Sequence, residues 1–270
     1  MSGRLLVVKI EVMDCEAEVL LNGMPIARAS AARNRVVMPV HEYAVEGDNQ
    51  LELVLWPHPA QLVQSPMPVP KPWVSTGNQA ARVRMLLPRS GNLADENSAR
   101  TLAQIDWAAP EGTACELPLT LSQQLTLPAS FPRWRWLDAP LLEPTSELRP
   151  LALGFVQELA QGLSAGDFDA FQRATRLRHE ELAVAYQFDA AQAAARLHEH
   201  LASAHAAQRL NWLPMDDQSL VLRPVARGRL VECLDATGAA MLRTAPDELG
   251  RSMALPLRLA AVERQLFVLR

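Results

Sequence analysis

The stretch Glu18-Val19-Leu20-Leu21-Asn22-Gly23-Met24-Pro25-Ile26 places an Asn-Gly pair between two apolar runs. Both residues of that pair tolerate positive φ, so they predict a two-residue turn between antiparallel strands. A second turn signal, Glu46-Gly47-Asp48-Asn49, precedes the run Gln50-Leu51-Glu52-Leu53-Val54-Leu55-Trp56. Polar and apolar residues alternate in the first part of this run, as they do in a half-buried strand. Residues 18–56 therefore predict an antiparallel sheet.

The remainder of the first half also has the pattern of short strands. The predicted segments are 5–12, 36–40, 81–87, 101–107 and 115–121. Prolines crowd the region from Pro57 to Pro72, which opposes a central strand and indicates an extended surface loop. Short strands separated by turn signals, with no helical period, predict an all-β antiparallel sandwich over residues 1–127.

The hydrophobic period changes in the second half. After Thr145-Ser146, apolar residues recur at helical spacing from Leu148 to Leu163, and Asp167 and Asp189 are the predicted N-caps of two further helices. The predicted strands that follow are 219–225, 229–234, 239–243, 253–260 and 265–270. This order predicts an α+β domain over residues 147–270, with helices packed on a curved antiparallel sheet. Residues 128–146, rich in proline and tryptophan, form the predicted linker.

Composition limits the classes of protein. The net charge of −4 over 270 residues lacks the basic surface of a nucleic-acid-binding protein. No apolar run is long enough for a signal peptide or a membrane span, so we expect a cytoplasmic protein. Cys15, Cys115 and Cys233 are too far apart to indicate a disulfide framework or a zinc site. Lys9 and Lys71 are the only lysines among 26 cationic residues, a bias typical of a GC-rich bacterial genome.

The two turn motifs of the first half carry a family resemblance. The segments 18–26 and 45–53 resemble the jelly-roll domains of the galactose-binding-like superfamily, where an "NG" hairpin and a "PGxN" turn precede an alternating strand. Glu46 stands where that pattern commonly has proline. The resemblance implies a β-sandwich and, in some members, carbohydrate binding.

A second resemblance covers the C-terminal half. The segment from Phe155 to Phe171, with its Gly166-Asp167 pair, is similar to the opening of NTF2-like (SnoaL-type, cystatin-like) α+β domains. The helix after Asp189 departs from that pattern, since a short strand often stands there. The resemblance implies a curved sheet with a conical pocket and, in some members, a homodimer or isomerase and hydratase activity. Fold analogy alone does not assign an activity.

Candidate catalytic residues follow from that implied pocket. His179 lies beside carboxylates in the second predicted helix and could act as a general base, and Tyr186 and Asp235 could lie on the same side. An ordinary charged helix is the alternative. His198, His200 and His205 lack HExxH spacing, so they predict a solvated helix face rather than a metal site. The sequence contains no nucleotide motif, and we expect no cofactor.

The most distinctive short motif is Arg133-Trp134-Arg135-Trp136. Alternation would place the tryptophans on one face and the arginines on the other. Aromatic and arginine side chains are common anchors of protein interfaces, so the four residues are candidate interaction residues. Docking of the tryptophans within the protein itself is the alternative, which would stiffen the linker.

The sequence favours a non-catalytic protein-interaction module of the adaptor, assembly or cognate-inhibitor type, whose partner is another protein. Two alternatives stay open. The first is small-molecule binding, or an isomerase- or hydratase-like activity, in the C-terminal cavity; the second is carbohydrate binding by the N-terminal sandwich. No nucleic acid or membrane is expected as a partner.

Overall fold

The computed structural model describes residues 5–56, 73–88, 99–116, 118–127, 131–142, 147–262 and 265–270. The chain divides into two compact units, Met1–Pro132 and Arg133–Arg270. The predicted proline-rich loop (57–72) lies outside the described residues, as do residues 128–130 and 143–146 of the predicted linker.

The described part of the first unit consists of antiparallel strands. They are β1 (Val7–Met13), β2 (Glu16–Leu21), β3 (Met24–Ala29), β4 (Arg35–Pro39), β5 (Gly47–Trp56), β6 (Trp73–Val74), β7 (Ala80–Leu87), β8 (Arg100–Ala108), β9 (Ala114–Cys115) and β10 (Leu119–Leu127). Two four-stranded sheets have the orders β4-β1-β7-β8 and β10-β5-β2-β3, and β6 pairs with β9. A single predicted strand over 115–121 is wrong, because β9 ends at Cys115 and β10 begins at Leu119.

The two four-stranded sheets enclose one hydrophobic core. Ile10 and Val83 enter it from the first sheet, and Val19 and Leu53 enter it from the second. Along β5 the buried side chains alternate with partly exposed ones, as the period-two pattern predicts. Burial of alternate side chains from both sheets is the arrangement of a β-sandwich.

The Asn22-Gly23 turn and the turn that precedes β5 contact each other. Asn22 and Gly23 both have positive φ, and β2 and β3 pair across them, which confirms the predicted hairpin. The buried Asn49 amide donates to the carbonyls of Val45 (2.8 Å) and Gly47 (2.9 Å) and accepts from the Val45 amide (2.9 Å) and from Asn22 Nδ2 (2.8 Å). Asn49 therefore joins the hairpin to the turn before β5.

The described part of the second unit contains four helices followed by a sheet. They are α1 (Arg135–Asp138), α2 (Leu148–Ala165), α3 (Phe168–Tyr186), α4 (Ala190–Ala206), β11 (Val221–Val225), β12 (Leu230–Leu234), β13 (Arg258–Val262) and β14 (Gln265–Val268). The sheet is antiparallel in chain order. Asp167 and Asp189 accept from the backbone N–H of Ala170 (3.0 Å) and Gln192 (2.8 Å), which confirms both predicted N-caps.

Helices and sheet share one core in this unit. Val156, Phe171 and Leu201 from α2, α3 and α4 join Val231 and Leu259 of the sheet. The predicted strands over 239–243 and 253–260 are replaced by isolated bridges and by β13. Pro256, inside the predicted strand over 253–260, has no N–H to donate to a ladder, and β13 begins only at Arg258. The loop between the two predicted strands is held by the Asp247 carboxylate, which accepts from the backbone N–H groups of Leu249 and Arg251.

Candidate functional site

The Arg133-Trp134-Arg135-Trp136 motif lies at helix α1 of the second unit. Trp134 and Trp136 are 1% and 3% exposed, and the Arg270 guanidinium lies 5.5 Å from the Trp134 ring centroid. Arg133 forms an exposed ion pair with Asp138. The indoles and the arginines therefore differ in exposure, as alternation predicts, and only the arginine side chains are accessible from solvent. That the motif binds a partner stays a prediction.

The buried carboxylate of Glu181, on α3, holds the backbone of this motif in place. Glu181 Oε1 accepts from the backbone N–H of Arg135 (2.6 Å), and Glu181 Oε2 bonds Nη1 of the buried Arg270. The Arg135 guanidinium adds bonds to the Leu177 carbonyl (3.1 Å) and to the partly exposed Glu180 (2.8 Å). A buried ion pair of this kind holds its partners in place, because separating them would leave a charge unsolvated.

The described contacts of His179 and Asp235, two of the three candidate catalytic residues, are with residues near them in the chain. His179 is partly buried, with Nδ1 3.3 Å from Thr175 Oγ1 on its own helix, and burial together with Arg178 lowers the pKa of His179. Tyr186 is the last residue of α3. The Asp235 carboxylate accepts from Thr237 Oγ1 (2.6 Å) and pairs with Arg243.

The described contacts of Asp235 are those of a turn-stabilising residue. Partial burial alone would raise the pKa of Asp235, but bonds from Thr237 and the Ala239 N–H, together with Arg243, hold it below its ordinary value. The described bonds of His179 and Asp235 connect each residue to its own helix or turn. They do not form a proton relay between the two, so a catalytic role for either residue stays a prediction.

The histidines of α4 lie in two environments. His198 and His205 contact the Phe168 ring edge-on, at 5.4 and 5.8 Å between centroids, and His205 Nε2 is 3.1 Å from the Ser164 carbonyl. His200 is exposed. Among the described residues, no group of three or more His, Cys, Asp or Glu side chains is arranged to hold a metal ion.

A groove on the first unit, here called the sandwich groove, brings together residues that the sequence did not single out. Its volume is about 460 Å³, and it crosses β1, β7 and β8. The alanines of its lining are Ala80, Ala81 and Ala108. Met13, 60% exposed, and the half-buried Trp107 line it as well, and the Trp107 ring centroid lies 6.2 Å from that of Trp73.

Charged side chains also line the sandwich groove. Arg82 forms an ion pair with Asp106, and the bond from Arg82 lowers the pKa of that carboxyl group. Glu11 accepts from Arg84 at 3.0 Å and pairs with the buried Lys9 at 2.7 Å. Alternation along β7 is the sequence signal that could have placed Arg82 and Arg84 on one face of the strand, but only the pairing with β1 and β8 supplies their acidic partners.

None of the described helices is both long and apolar enough to cross a lipid bilayer. Comparison with known proteins gave no assignment: no family model matches the chain, and no curated protein or solved structure matches it significantly.

Proposed function

We propose that this protein is a non-catalytic binding module for another protein, and that the sandwich groove is its contact site. The observation that carries the proposal is the exposure of Met13 on the outer face of the sheet, in one cross-strand row with Ala80 and Ala108. A methionine side chain that is 60% exposed loses contact with water only when another molecule covers it.

The composition of the groove supports a protein partner. Aromatic residues, methionine and arginine are enriched at the centres of protein interfaces. The short side chains of Ala80 and Ala108, on the same face as Met13, leave room for an inserted side chain. Arg82 and Asp106 are about half exposed, so their ion pair can meet polar groups at the rim of an interface.

The wider architecture belongs to the same proposal. The first unit would be a jelly-roll sandwich of the galactose-binding-like kind, supported by the contact between Asn22 and Asn49. The second would be an NTF2-like α+β domain, supported by helices that share a core with an antiparallel sheet. Two domains joined near residues 128–146, working in the bacterial cytoplasm as an adaptor, assembly factor or cognate inhibitor, would fit this arrangement. A homodimer fits the NTF2-like resemblance.

The test compares two tagged variants with the wild-type protein in affinity purification from the native bacterium, followed by mass spectrometry. Met13→Asp places a charge in the sandwich groove, whereas the control Leu249→Asp changes a 73% exposed side chain in the other unit. We expect one stoichiometric partner that the wild type and Leu249→Asp retain and that Met13→Asp loses by at least about ten-fold. A wild type without a partner, or a partner that Met13→Asp retains, contradicts the proposal.

A further inference from the structure

A second concave site lies in the C-terminal unit, here called the C-terminal cleft. Its volume is about 440 Å³, and it opens between the end of α4 and the loop 244–253. This volume is within the range of sites that hold small molecules. His200, Arg209 and Arg251 contribute to its lining, and Asp247 is the acidic residue among the lining side chains.

The Asp247 carboxylate is occupied by its own loop. Its Oδ1 accepts from the backbone N–H of Leu249 (3.0 Å) and Arg251 (2.8 Å), and its Oδ2 accepts from Arg251 Nε (3.0 Å). The Asp247 charge is therefore balanced within the loop. These bonds also hold the Arg251 guanidinium in place while the side chain stays 68% exposed.

Arg209 provides a second cation at the cleft. The backbone of Gln208 has positive φ (53°), and the Arg209 N–H donates to the Ala204 carbonyl at 2.9 Å, which ends α4. Among the described residues the Arg209 guanidinium has no acidic partner. An arginine after a helix C-terminus stabilises the helix slightly by interacting with its dipole, so this position alone does not indicate a ligand. The presence of Arg209 and Arg251 in the lining of one cleft is what indicates an anionic ligand.

Neutral donors complete the lining. Asn211 and Ser252 are exposed at the cleft, and the backbone N–H of Ala245 is bonded to the Asn211 carbonyl (2.8 Å), which fixes the position of Asn211 against the loop. Two guanidinium groups with amide and hydroxyl donors around them match an oxyanion, because arginine binds phosphate and carboxylate in a bidentate manner.

We propose that the C-terminal cleft binds a small polar molecule through an anionic head group, a phosphate or a carboxylate, held by Arg209 and Arg251. Arg209 and Arg251 contribute two positive charges and Asp247 one negative charge, which leaves the lining with a formal charge of +1 (2 − 1) when histidine is neutral. This site is independent of the sandwich groove, so either proposal can fail without the other.

The test is isothermal titration of the full chain at low ionic strength, where screening is weak. Glucose and glucose 6-phosphate form a matched pair of probes that differ by the phosphate, and citrate tests a carboxylate. We expect glucose 6-phosphate or citrate to bind with a Kd below about 1 mM and glucose not to bind. Arg209→Gln and Arg251→Gln should each weaken binding about ten-fold.

The control variant is Arg173→Gln, at an exposed arginine of α3 outside the cleft lining, and it should keep wild-type affinity. Binding of glucose 6-phosphate alone identifies a phosphate head group, and binding of citrate as well identifies a general oxyanion site; both outcomes support the proposal. No binding of either anion overturns it, and so does binding that neither cleft variant weakens.

Discussion

Glu181 offers the sharpest test of the tertiary structure. Its side chain is 9% exposed and bonds Arg270, whose side chain is 1% exposed, and the Arg135 N–H. In Glu181→Gln an amide nitrogen or an uncharged oxygen faces the buried guanidinium. Breaking a buried pair on one side costs about 3–5 kcal/mol. Since glutamine keeps one acceptor for the Arg135 N–H, we expect a loss of about 3 kcal/mol in the free energy of unfolding.

The adjacent residue is the matched control. Glu180 lies on the same helix and forms ion pairs with Arg135 and Arg176, but its side chain is 37% exposed. Exposed pairs contribute roughly 0–1 kcal/mol, so Glu180→Gln should change the free energy of unfolding by less than about 1 kcal/mol. The two variants carry the same chemical change at neighbouring positions, and they differ in the burial of the carboxylate and of its arginine partners.

The assay is urea denaturation followed by circular dichroism, with the thermal midpoint as a second readout. A loss of about 3 kcal/mol corresponds to a decrease of roughly 6–12 °C in Tm. Replacing both partners, as Glu181→Met with Arg270→Met, removes both charges and should recover at least about half of the loss. Free energies of unfolding within about 0.5 kcal/mol of each other for Glu181→Gln and Glu180→Gln would contradict a stabilising role of the buried Glu181–Arg270 pair.

Three further predictions follow from burial and hydrogen bonding. Asn49→Ala removes four bonds of a buried amide and should lower the free energy of unfolding by about 3 kcal/mol, measured by urea denaturation. Burial raises the pKa of Cys15 to about 11 and of Cys233 to about 12, so a maleimide at pH 8 should label Cys115 first, as read by mass spectrometry of peptides. His179→Gln should reduce the loss of stability between pH 7 and pH 5, measured by denaturation at both pH values.

The sign of the pH effect follows from the direction of the His179 shift. Burial lowers the pKa of His179 in the folded state, so the unfolded state binds the proton more readily as pH falls below about 6.5. Stability is then lost on acidification, and replacing the histidine removes that contribution. An unchanged pH dependence in His179→Gln contradicts this account.

Controls for the other two predictions use residues of different burial. Asn78→Ala changes an exposed amide between β6 and β7 and should leave stability within about 0.5 kcal/mol of the wild type. A similar loss in Asn78→Ala and Asn49→Ala would argue against the described network. If Cys15 or Cys233 is labelled at the rate of Cys115 in the folded protein, burial does not protect that thiol.

Local signals in the sequence were sufficient for several elements. The Asn22-Gly23 turn and the N-caps at Asp167 and Asp189 depend on neighbouring residues only, and all three occur as predicted. The strand over 50–56 likewise follows from alternation, because burial of one face requires period two. Such features are determined by backbone conformation and short-range bonds within a few residues.

Residues 239–257 show where local signals were insufficient. The two strands predicted there are reduced to isolated bridges at Ala240 and between Arg243 and Ala254, and to β13, which begins at Arg258. Apolar composition predicts a strand, but it does not show whether a neighbouring strand pairs along its whole length. A shared catalytic site for His179 and Asp235 stays a prediction for a related reason, because spacing along the chain does not determine which faces of distant elements meet.

The sequence was sufficient to predict most strands of the first half, the helices that precede the strands of the second half, the Asn22-Gly23 turn and two N-caps, because each depends on the conformational preferences of a few adjacent residues. The structure was needed to show that Trp134 and Trp136 are buried, that Glu181 meets Arg270 at a separation of 89 residues, and that Met13 lies in one row with Ala80 and Ala108. Contacts between distant residues depend on how whole elements pack, and packing is a property of the complete fold.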